Sequence, residues 1–236
     1  MSSQFEELDY QETPLGELSL RRRRSPAVPG ELVYEVKIGN DLLMSSTVNA
    51  SERALSTLVL DALSGRSCDV LVGGLGLGYT AATALEYANV RRLVVIEFLP
   101  PVIEWHRRHL VPLGEKLTTD PRCRLVHGDF FERMGEASPR TDADIHDVIL
   151  LDIDHSPDSL LHERHQFFYT EPGLRRLRNH LRPDGLFGLW SAAEPTDEFL
   201  GRLRRVFASV QSHVIEFTNP HLGVTDTNWV VVGGVA

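Results

Sequence analysis

The sequence predicts an α/β protein with a doubly wound, mainly parallel sheet of seven strands, preceded by a small N-terminal β-unit. Two observations carry this prediction. Short apolar runs, each the length of a buried strand, alternate along the chain with segments of helical periodicity. A cluster of glycines follows the first run of the predicted sheet and precedes a helix-forming segment, which gives the order strand, tight turn, helix.

The chain divides into an N-terminal extension with its small β-unit, residues 1–48, and an α/β domain, residues 49–236. Residues 1–13 are polar, and we expect them to be irregular. Leu32–Ile38 is a predicted strand of the small unit. The four consecutive arginines Arg21–Arg24 are expected at an exposed strand end or hairpin, because the chain as a whole is acidic.

The α/β domain begins with an amphipathic helix that opens at Ser51 and stops at Gly65. Apolar runs then mark the seven strands of the sheet. They lie at residues 70–72, 92–97, 122–129, 146–152, 186–190, 214–217 and 229–232. Helical segments separate all of these runs except the last two, so we expect those two to form a closing hairpin.

The glycine cluster fits two ligand-binding motifs. Gly76–Ala81 fits the GxGxxA form of the dinucleotide fingerprint, and Gly74–Gly78 fits the GxGxG loop of enzymes that bind S-adenosylmethionine (SAM). A structural turn without a ligand is the third interpretation. Glycine permits positive φ and a close approach of ligand to backbone, so any of the three would use these residues.

Acidic residues end three of the predicted strands. Glu97 lies 21 positions after Gly76, close to the distance of about 20 at which an acid binds ribose hydroxyls. Asp129 and Asp152 end the next two strands. The carboxyl ends of parallel strands meet at one edge of a sheet, so these acids and the glycine turn are expected to surround one ligand.

Composition excludes several classes of function. The 236 residues are 42% hydrophobic and 24% charged, with a net charge of −9, which argues against a general nucleic-acid binder. No apolar run approaches the length of about 20 residues needed to span a membrane, and the polar start does not resemble a signal peptide. Cys68 and Cys123 are the only cysteines, which fits the reducing cytoplasm. His162 and His165 lack a third ligand, so no metal site is predicted.

Several stretches of the chain resemble the spermidine synthase-like branch of the class I SAM-dependent methyltransferase superfamily. They are GGLGLGYTA, VVIEFLPPVIEWHRRHL, DPRCRLVHGDFF, HDVILLDIDHSP and FFYTEPGLRRLRNHLRPDGLFGLW. The resemblance implies the class I SAM-dependent methyltransferase fold, and it makes a homodimer an expectation. It also implies that Glu97 holds the ribose, that Asp129 binds the adenine edge and that Asp152 faces the sulfonium. The full predicted cofactor site is Gly74, Gly76, Gly78, Tyr79, Glu97, Phe98, Asp129, Phe130 and Asp152.

Two departures from that family guide the functional prediction. The Asp of its GGGDGG loop, which engages the aminopropyl end of the donor, is assigned here to Leu77. Its Tyr-His-Glu stretch, which helps to hold the polyamine, is assigned to Leu55-Ser56-Thr57. We therefore predict a methyltransferase that uses SAM, releases S-adenosylhomocysteine and acts on a small-molecule acceptor. Aminopropyl or related alkyl transfer from decarboxylated SAM is an alternative, and a non-catalytic SAM-binding module is another.

The loop Asp152–Pro157 supplies the candidate catalytic residues Asp152, Asp154 and His155. Alkyl transfer from a sulfonium depends mainly on positioning the two partners, but an amine or hydroxyl acceptor also has to lose a proton. A carboxylate or histidine in this loop would be placed to accept it. In the alternative interpretation, Asp154 and His155 are solvated loop residues.

Overall fold

The computed structural model describes residues 5–25, 30–63, 65–139, 141–218 and 223–235. The N-terminal part is an antiparallel sheet with the strand order β1-β2-β3-β4. Its strands are β1 (Phe5–Thr13), β2 (Gly16–Arg24), β3 (Leu32–Ile38) and β4 (Asp41–Ser45). The small β-unit is therefore confirmed.

The first strand corrects the expectation that residues 1–13 are irregular for residues 5–13, and residues 1–4 lie outside the described part of the chain. The strand is mostly exposed, so it lacks the apolar alternation that marks a half-buried strand in a sequence. It is paired with β2 across oppositely charged side chains, at 2.6 Å between Glu6 and Arg22 and at 3.3 Å between Glu7 and Arg21. The arginine run thus lies within a strand and faces acids of its neighbour.

The second sheet has seven strands in the order β10-β11-β9-β8-β5-β6-β7. They are β5 (Cys68–Gly73), β6 (Val90–Glu97), β7 (Cys123–His127), β8 (His146–Leu151), β9 (Leu181–Ser191), β10 (Ser209–Thr218) and β11 (Thr225–Gly234). Strands β5 to β9 are parallel, whereas β11 runs antiparallel to both of its neighbours. The doubly wound, mainly parallel sheet and its closing hairpin are as predicted.

Helices cover both faces of this sheet. They are α1 (Ala50–Asp61), α2 (Tyr79–Ala84), α3 (Pro100–Arg107), α4 (Gly114–Thr119), α5 (Phe130–Met134), α6 (Glu171–Asn179) and α7 (Asp197–Arg204). Successive residues of β5 point to opposite faces, so Val70 and Val72 join one buried cluster and Leu71 joins the other. Because both faces of β5 are buried, its sequence is a continuous apolar run and not an alternating one.

The small sheet packs against the larger domain through a shared core. Leu18, Leu20 and Val36 are fully or almost fully buried in the same cluster as Leu55 and Val59 of α1. The division of the chain at residue 48 stays a prediction. Within the described ranges, the helices are all too short or too polar to cross a membrane.

Candidate functional site

The glycine turn lies at the switch point of the sheet. Strand β5 has β6 on one side and β8 on the other, so the strands that follow it are added first toward one edge of the sheet and then toward the other. Gly74, Gly76 and Gly78 have φ values of +93°, +49° and +91°. A Cβ atom on Gly74 would lie 2.0 Å from the carbonyl oxygen of Asp152, so the two loops touch backbone to backbone. This contact accounts for glycine at that position.

A cavity of about 380 Å³ opens at the carboxyl ends of the strands, beside the glycine turn. Every residue of the predicted site except Asp154 lines it. One wall comes from the N-terminal sheet, which supplies mainly apolar side chains, among them Leu18, Val36, Ile38, Leu42, Leu43 and Met44. The structure thus brings the glycines and the strand-end acids together around one largely apolar space.

Glu97 is held in a fixed orientation by the backbone. Its two carboxylate oxygens accept hydrogen bonds from the N–H groups of Leu75 (2.9 Å) and Leu99 (2.8 Å). Burial raises the pKa of this carboxyl, and the backbone N–H groups oppose that rise. Each oxygen has a second lone pair, so the carboxylate can still accept from hydroxyls of a ligand. Its role at the ribose stays a prediction.

Asp129 caps helix α5 and also meets an arginine that the sequence did not indicate. One carboxylate oxygen accepts from the N–H groups of Phe131 (2.9 Å) and Glu132 (3.2 Å). The other lies 3.3 Å from the Arg164 guanidinium. That guanidinium also lies over the ring of Phe98, 4.6 Å from its centre. Arg164 therefore occupies the part of the cavity where Asp129 and Phe98 would meet a nucleoside base.

Asp152 and Glu52 form an acidic pair in the cavity. Asp152 follows β8, and one of its oxygens accepts from the Thr80 hydroxyl at 2.6 Å. Glu52 comes from α1, where its carboxylate lies 2.9 Å from the Ser51 hydroxyl. Among the described residues, neither carboxylate has a salt-bridge partner. Burial, reinforced by the charge of Asp152, raises the pKa of Glu52 to about 7, and burial raises that of Asp152 to about 6.

The structure separates Asp154 from the two other candidate catalytic residues. The Asp154 side chain is buried away from the cavity, and it accepts hydrogen bonds from Tyr169 (2.9 Å) and the Leu161 N–H (2.8 Å). A ring nitrogen of His165 lies 2.9 Å from the same carboxylate. Asp154 therefore ties together the segment after β8. His155 is exposed and lines the cavity beside Asp152.

Glu52 was not predicted as a site residue, because the counterpart of Tyr-His-Glu was assigned to Leu55-Ser56-Thr57, further along the same helix. Leu55 and Ser56 are buried in the core, and the Ser56 hydroxyl donates to the carbonyl oxygen of Thr80. Glu52 lies three positions before Leu55 on this helix, and its side chain lines the cavity. A single acid in the first turn of a helix is also common without any function, so its pattern alone is weak evidence.

The assignment of the family's loop acid to Leu77 stays a prediction. Leu77 is buried and lines the cavity with an apolar side chain. A Cβ atom on the neighbouring Gly76 would lie 2.8 Å from the sulfur of Met44. Met44 of β4 thus packs directly against the glycine turn. The acids of this cavity come from α1 and from the loop after β8 instead.

Comparison with known proteins supplies named relatives. The chain is 30% identical over 154 residues to a polyamine aminopropyltransferase of Synechococcus sp., an alignment that covers 62% of this chain and 46% of that protein. It is 30% identical over 164 residues to polyamine aminopropyltransferase 1 of Streptomyces coelicolor, covering 69% and 29%. It matches the crystal structure of spermidine synthase from Thermotoga maritima with a TM-score of 0.73 and 17% identity, over 98% of this chain and 73% of that one.

The chain spans less than half the length of these curated relatives, between 22% and 46% for the first three. No protein-family model matches it. A second structural neighbour is a spermidine synthase in complex with the transition-state analogue AdoDATO, with a TM-score of 0.72 and 16% identity. At such identity the structural matches establish the fold.

The comparisons contradict the predicted methyltransferase. The named sequence relatives are aminopropyltransferases, and spermidine synthase, to which the structural matches belong, uses decarboxylated SAM. The preference for methyl transfer and for intact SAM over decarboxylated SAM is therefore wrong. It rested on two missing acids of the family pattern, and the Glu52–Asp152 pair removes part of that reason. The chain is thus a relative of the polyamine aminopropyltransferases, the branch of the class I SAM-dependent methyltransferase fold that contains spermidine synthase.

Proposed function

We propose that this chain transfers the aminopropyl group of decarboxylated SAM to a small-molecule amine. The observation that carries the proposal is the acidic pair Glu52 and Asp152, which faces a largely apolar cavity without a salt-bridge partner among the described residues. Ionised carboxylates in such surroundings are costly unless a cation compensates them. An ammonium group, from the donor or from the acceptor, is the ligand that meets this requirement.

The same pair supports decarboxylated over intact SAM. Both donors carry a sulfonium and an amine, but only intact SAM carries a carboxylate at the end of its tail. Two carboxylates held in a low-dielectric cavity repel a third one more strongly than water-exposed carboxylates would. The acids thus favour the donor whose tail is purely cationic, although the glycine loop itself carries no acid.

The nucleoside part of the donor fits the other end of the cavity. Glu97 is oriented to accept from ribose hydroxyls, and Asp129 has a carboxylate oxygen that the base edge can reach once Arg164 gives way. Phe98 offers an aromatic face for the base. A sulfonium donor supplies a carbon already activated toward attack. The chain's own contribution is therefore to align the two partners and to remove a proton from the acceptor.

The test is product formation by the purified protein. We expect decarboxylated SAM with a panel of primary amines to give methylthioadenosine and an aminopropylated amine, both identified by mass spectrometry. Asp152→Asn should abolish most of this turnover, whereas Asp158→Asn, an exposed change on the same loop, should leave it intact. Methylated acceptor formed from intact SAM would contradict the proposal. Donor binding without turnover of any amine would support a binding module in its place.

A further inference from the structure

The carboxylate of Glu52 belongs to a hydrogen-bond network at the centre of which lies the Ser51 hydroxyl. The indole N–H of Trp190, on β9, donates to this hydroxyl at 2.9 Å. The Glu52 carboxylate and the side-chain oxygen of Asn228, on β11, each lie 2.9 Å from the same oxygen. Ser51 is fully buried and Asn228 is almost so, which excludes bulk water as a substitute partner for Ser51.

Counting protons in this network distinguishes the two states of Glu52. A hydroxyl has one proton to donate, and Ser51 faces two acceptor groups, the Glu52 carboxylate and the Asn228 oxygen. If Glu52 is ionised, the Ser51 proton goes to it and the Asn228 oxygen loses that donor. If Glu52 is protonated, it donates to Ser51, and Ser51 donates to Asn228. Every contact is then satisfied, so the network has a place for one additional proton.

The neighbouring acid has a different kind of partner. Asp152 accepts from the Thr80 hydroxyl at 2.6 Å, a length typical of a hydroxyl that donates to an ionised carboxylate. The Thr80 oxygen lies 3.4 Å from the backbone carbonyl oxygen of Glu52, so the contact with Asp152 is much the shorter of the two and takes the Thr80 proton. The short bond favours the charged form of Asp152. The two acids of the pair are thus suited to different roles.

We propose that Glu52 is the proton acceptor for the attacking amine and that Asp152 stays ionised to hold the positive charge. Ser51, Trp190 and Asn228 are positioning residues that accommodate the proton on Glu52. This inference rests on the proposed function. The acceptor ammonium gives one proton to Glu52, and the nitrogen lone pair then forms the C–N bond to the carbon on the sulfonium, so that the positive charge passes from sulfur to the new secondary ammonium. The C–S bond breaks with its electron pair remaining on sulfur, which becomes a neutral thioether.

Other charged or titratable groups around Glu52 enter any pH measurement. Asp152, His155, Asp226 and Tyr79 line the same cavity, and the charge of Arg53 acts on Glu52. Burial raises the pKa of Glu52 to about 7, which suits an acceptor of protons at neutral pH. The variants must therefore show which part of the pH dependence comes from Glu52 and which part comes from these neighbours.

The test compares Glu52→Gln with Glu115→Gln, a change on the exposed surface of α4. Glutamine keeps the shape of Glu52 but cannot accept the proton. We expect Glu52→Gln to lower the single-turnover rate at neutral pH by about 10²–10⁴-fold. The deficit should shrink as the pH approaches the amine's own pKa of about 10, where free amine no longer needs a base. Ser51→Ala should shift the pH dependence of the rate without abolishing it, and Glu115→Gln should behave like wild type.

A second readout does not depend on turnover. Calorimetry of amine binding with methylthioadenosine present, in two buffers with different heats of ionisation, counts the protons exchanged. Free Glu52, with a pKa raised to about 7, carries a proton in part of the molecules at neutral pH and must release it to the buffer before it can accept one from the amine. Proton release on amine binding by wild type that disappears in Glu52→Gln therefore supports the assignment. Equal exchange in both proteins, or full turnover by Glu52→Gln, would overturn it and leave the proposed function standing. A wild type that turns over no amine would instead overturn the proposed function.

Discussion

At the end of the cavity proposed for the nucleoside, Arg164 contacts both residues that the proposal assigns to the base. Its guanidinium pairs with Asp129 and covers the face of Phe98, and 44% of its side chain is exposed. An ion pair with this exposure is worth about 0.2–1 kcal/mol. If Asp129 binds the base of the donor as proposed, the arginine has to move, and the pair then competes with nucleoside binding.

Removing this competition should tighten the complex. We expect Arg164→Ala to bind methylthioadenosine about two- to fivefold more tightly than wild type, the factor that corresponds to the loss of such a pair. Isothermal titration calorimetry measures this directly. Arg175→Ala, which removes a surface ion pair with Glu171 on α6, is the matched control. Weaker binding by Arg164→Ala would show that the arginine contacts the ligand and does not compete with it.

The strand–turn–helix element at β5 combines two constraints that glycine satisfies. Gly74 has positive φ, and a Cβ atom there would meet the backbone of Asp152 at 2.0 Å. Gly39, in the turn between β3 and β4, also has positive φ, but a Cβ atom there would meet nothing within 4 Å. Gly39 therefore reports the strain of a positive φ alone, whereas Gly74 reports that strain together with the close approach of two loops.

Alanine substitutions should reveal that difference. Gly39→Ala is expected to cost about 1–2 kcal/mol of unfolding free energy, the cost of the left-handed backbone alone. Gly74→Ala should cost about 1–3 kcal/mol more, because the loop after β8 has to move, and it should also weaken methylthioadenosine binding. Urea unfolding and calorimetry measure the two effects. Equal stability losses with unchanged binding in both variants would show that the contact is not needed.

For the molecule as a whole, two histidines outside the cavity link stability to pH. His146 begins β8 and His180 follows α6, and both are buried. No hydrogen-bond partner for either ring nitrogen of His146 lies within the described part of the chain. Burial, with the nearby Arg92 and Arg133 charges, lowers the pKa of His146 to about 3, and burial lowers that of His180. Below the ordinary histidine pKa of about 6.5, the unfolded chain therefore binds more protons at these residues than the folded chain does.

This linkage has a definite sign. The stabilisation from a neutral His146 is complete above about pH 6.5 and is lost progressively as the pH falls toward 3. Lowering the pH from about 7.5 to about 5.5 should reduce the unfolding free energy by about 1.4 kcal/mol through His146. Glu52 and Asp152, whose pKa values are raised, act in the opposite direction, so His146→Leu is compared with wild type at each pH. The difference in unfolding free energy between them should change by that amount; a constant difference would contradict the assignment.

The sequence predicted the sheet well because its strands are apolar on both faces and its turn is rich in glycine. It failed at β1, where cross-strand ion pairs such as Glu6–Arg22 replace the apolar pattern. It also placed Asp154 at the site beside Asp152, which ends a buried strand. The two lie two positions apart in a loop, where no periodicity says which side chain faces the cavity. Glu52 and Arg164 reach the site only through tertiary packing, from the start of a helix and from the short 3₁₀ helix Glu163–Phe167.

The central claim, that the acidic pair selects a cationic donor tail, is tested most directly by one calorimetric comparison. We predict that wild type binds decarboxylated SAM at least about tenfold more tightly than intact SAM, a difference of about 1.4 kcal/mol. Asp152→Asn should reduce that ratio, because it removes one of the two charges that discriminate. Equal affinity for the two donors in wild type, or tighter binding of intact SAM, would contradict the account.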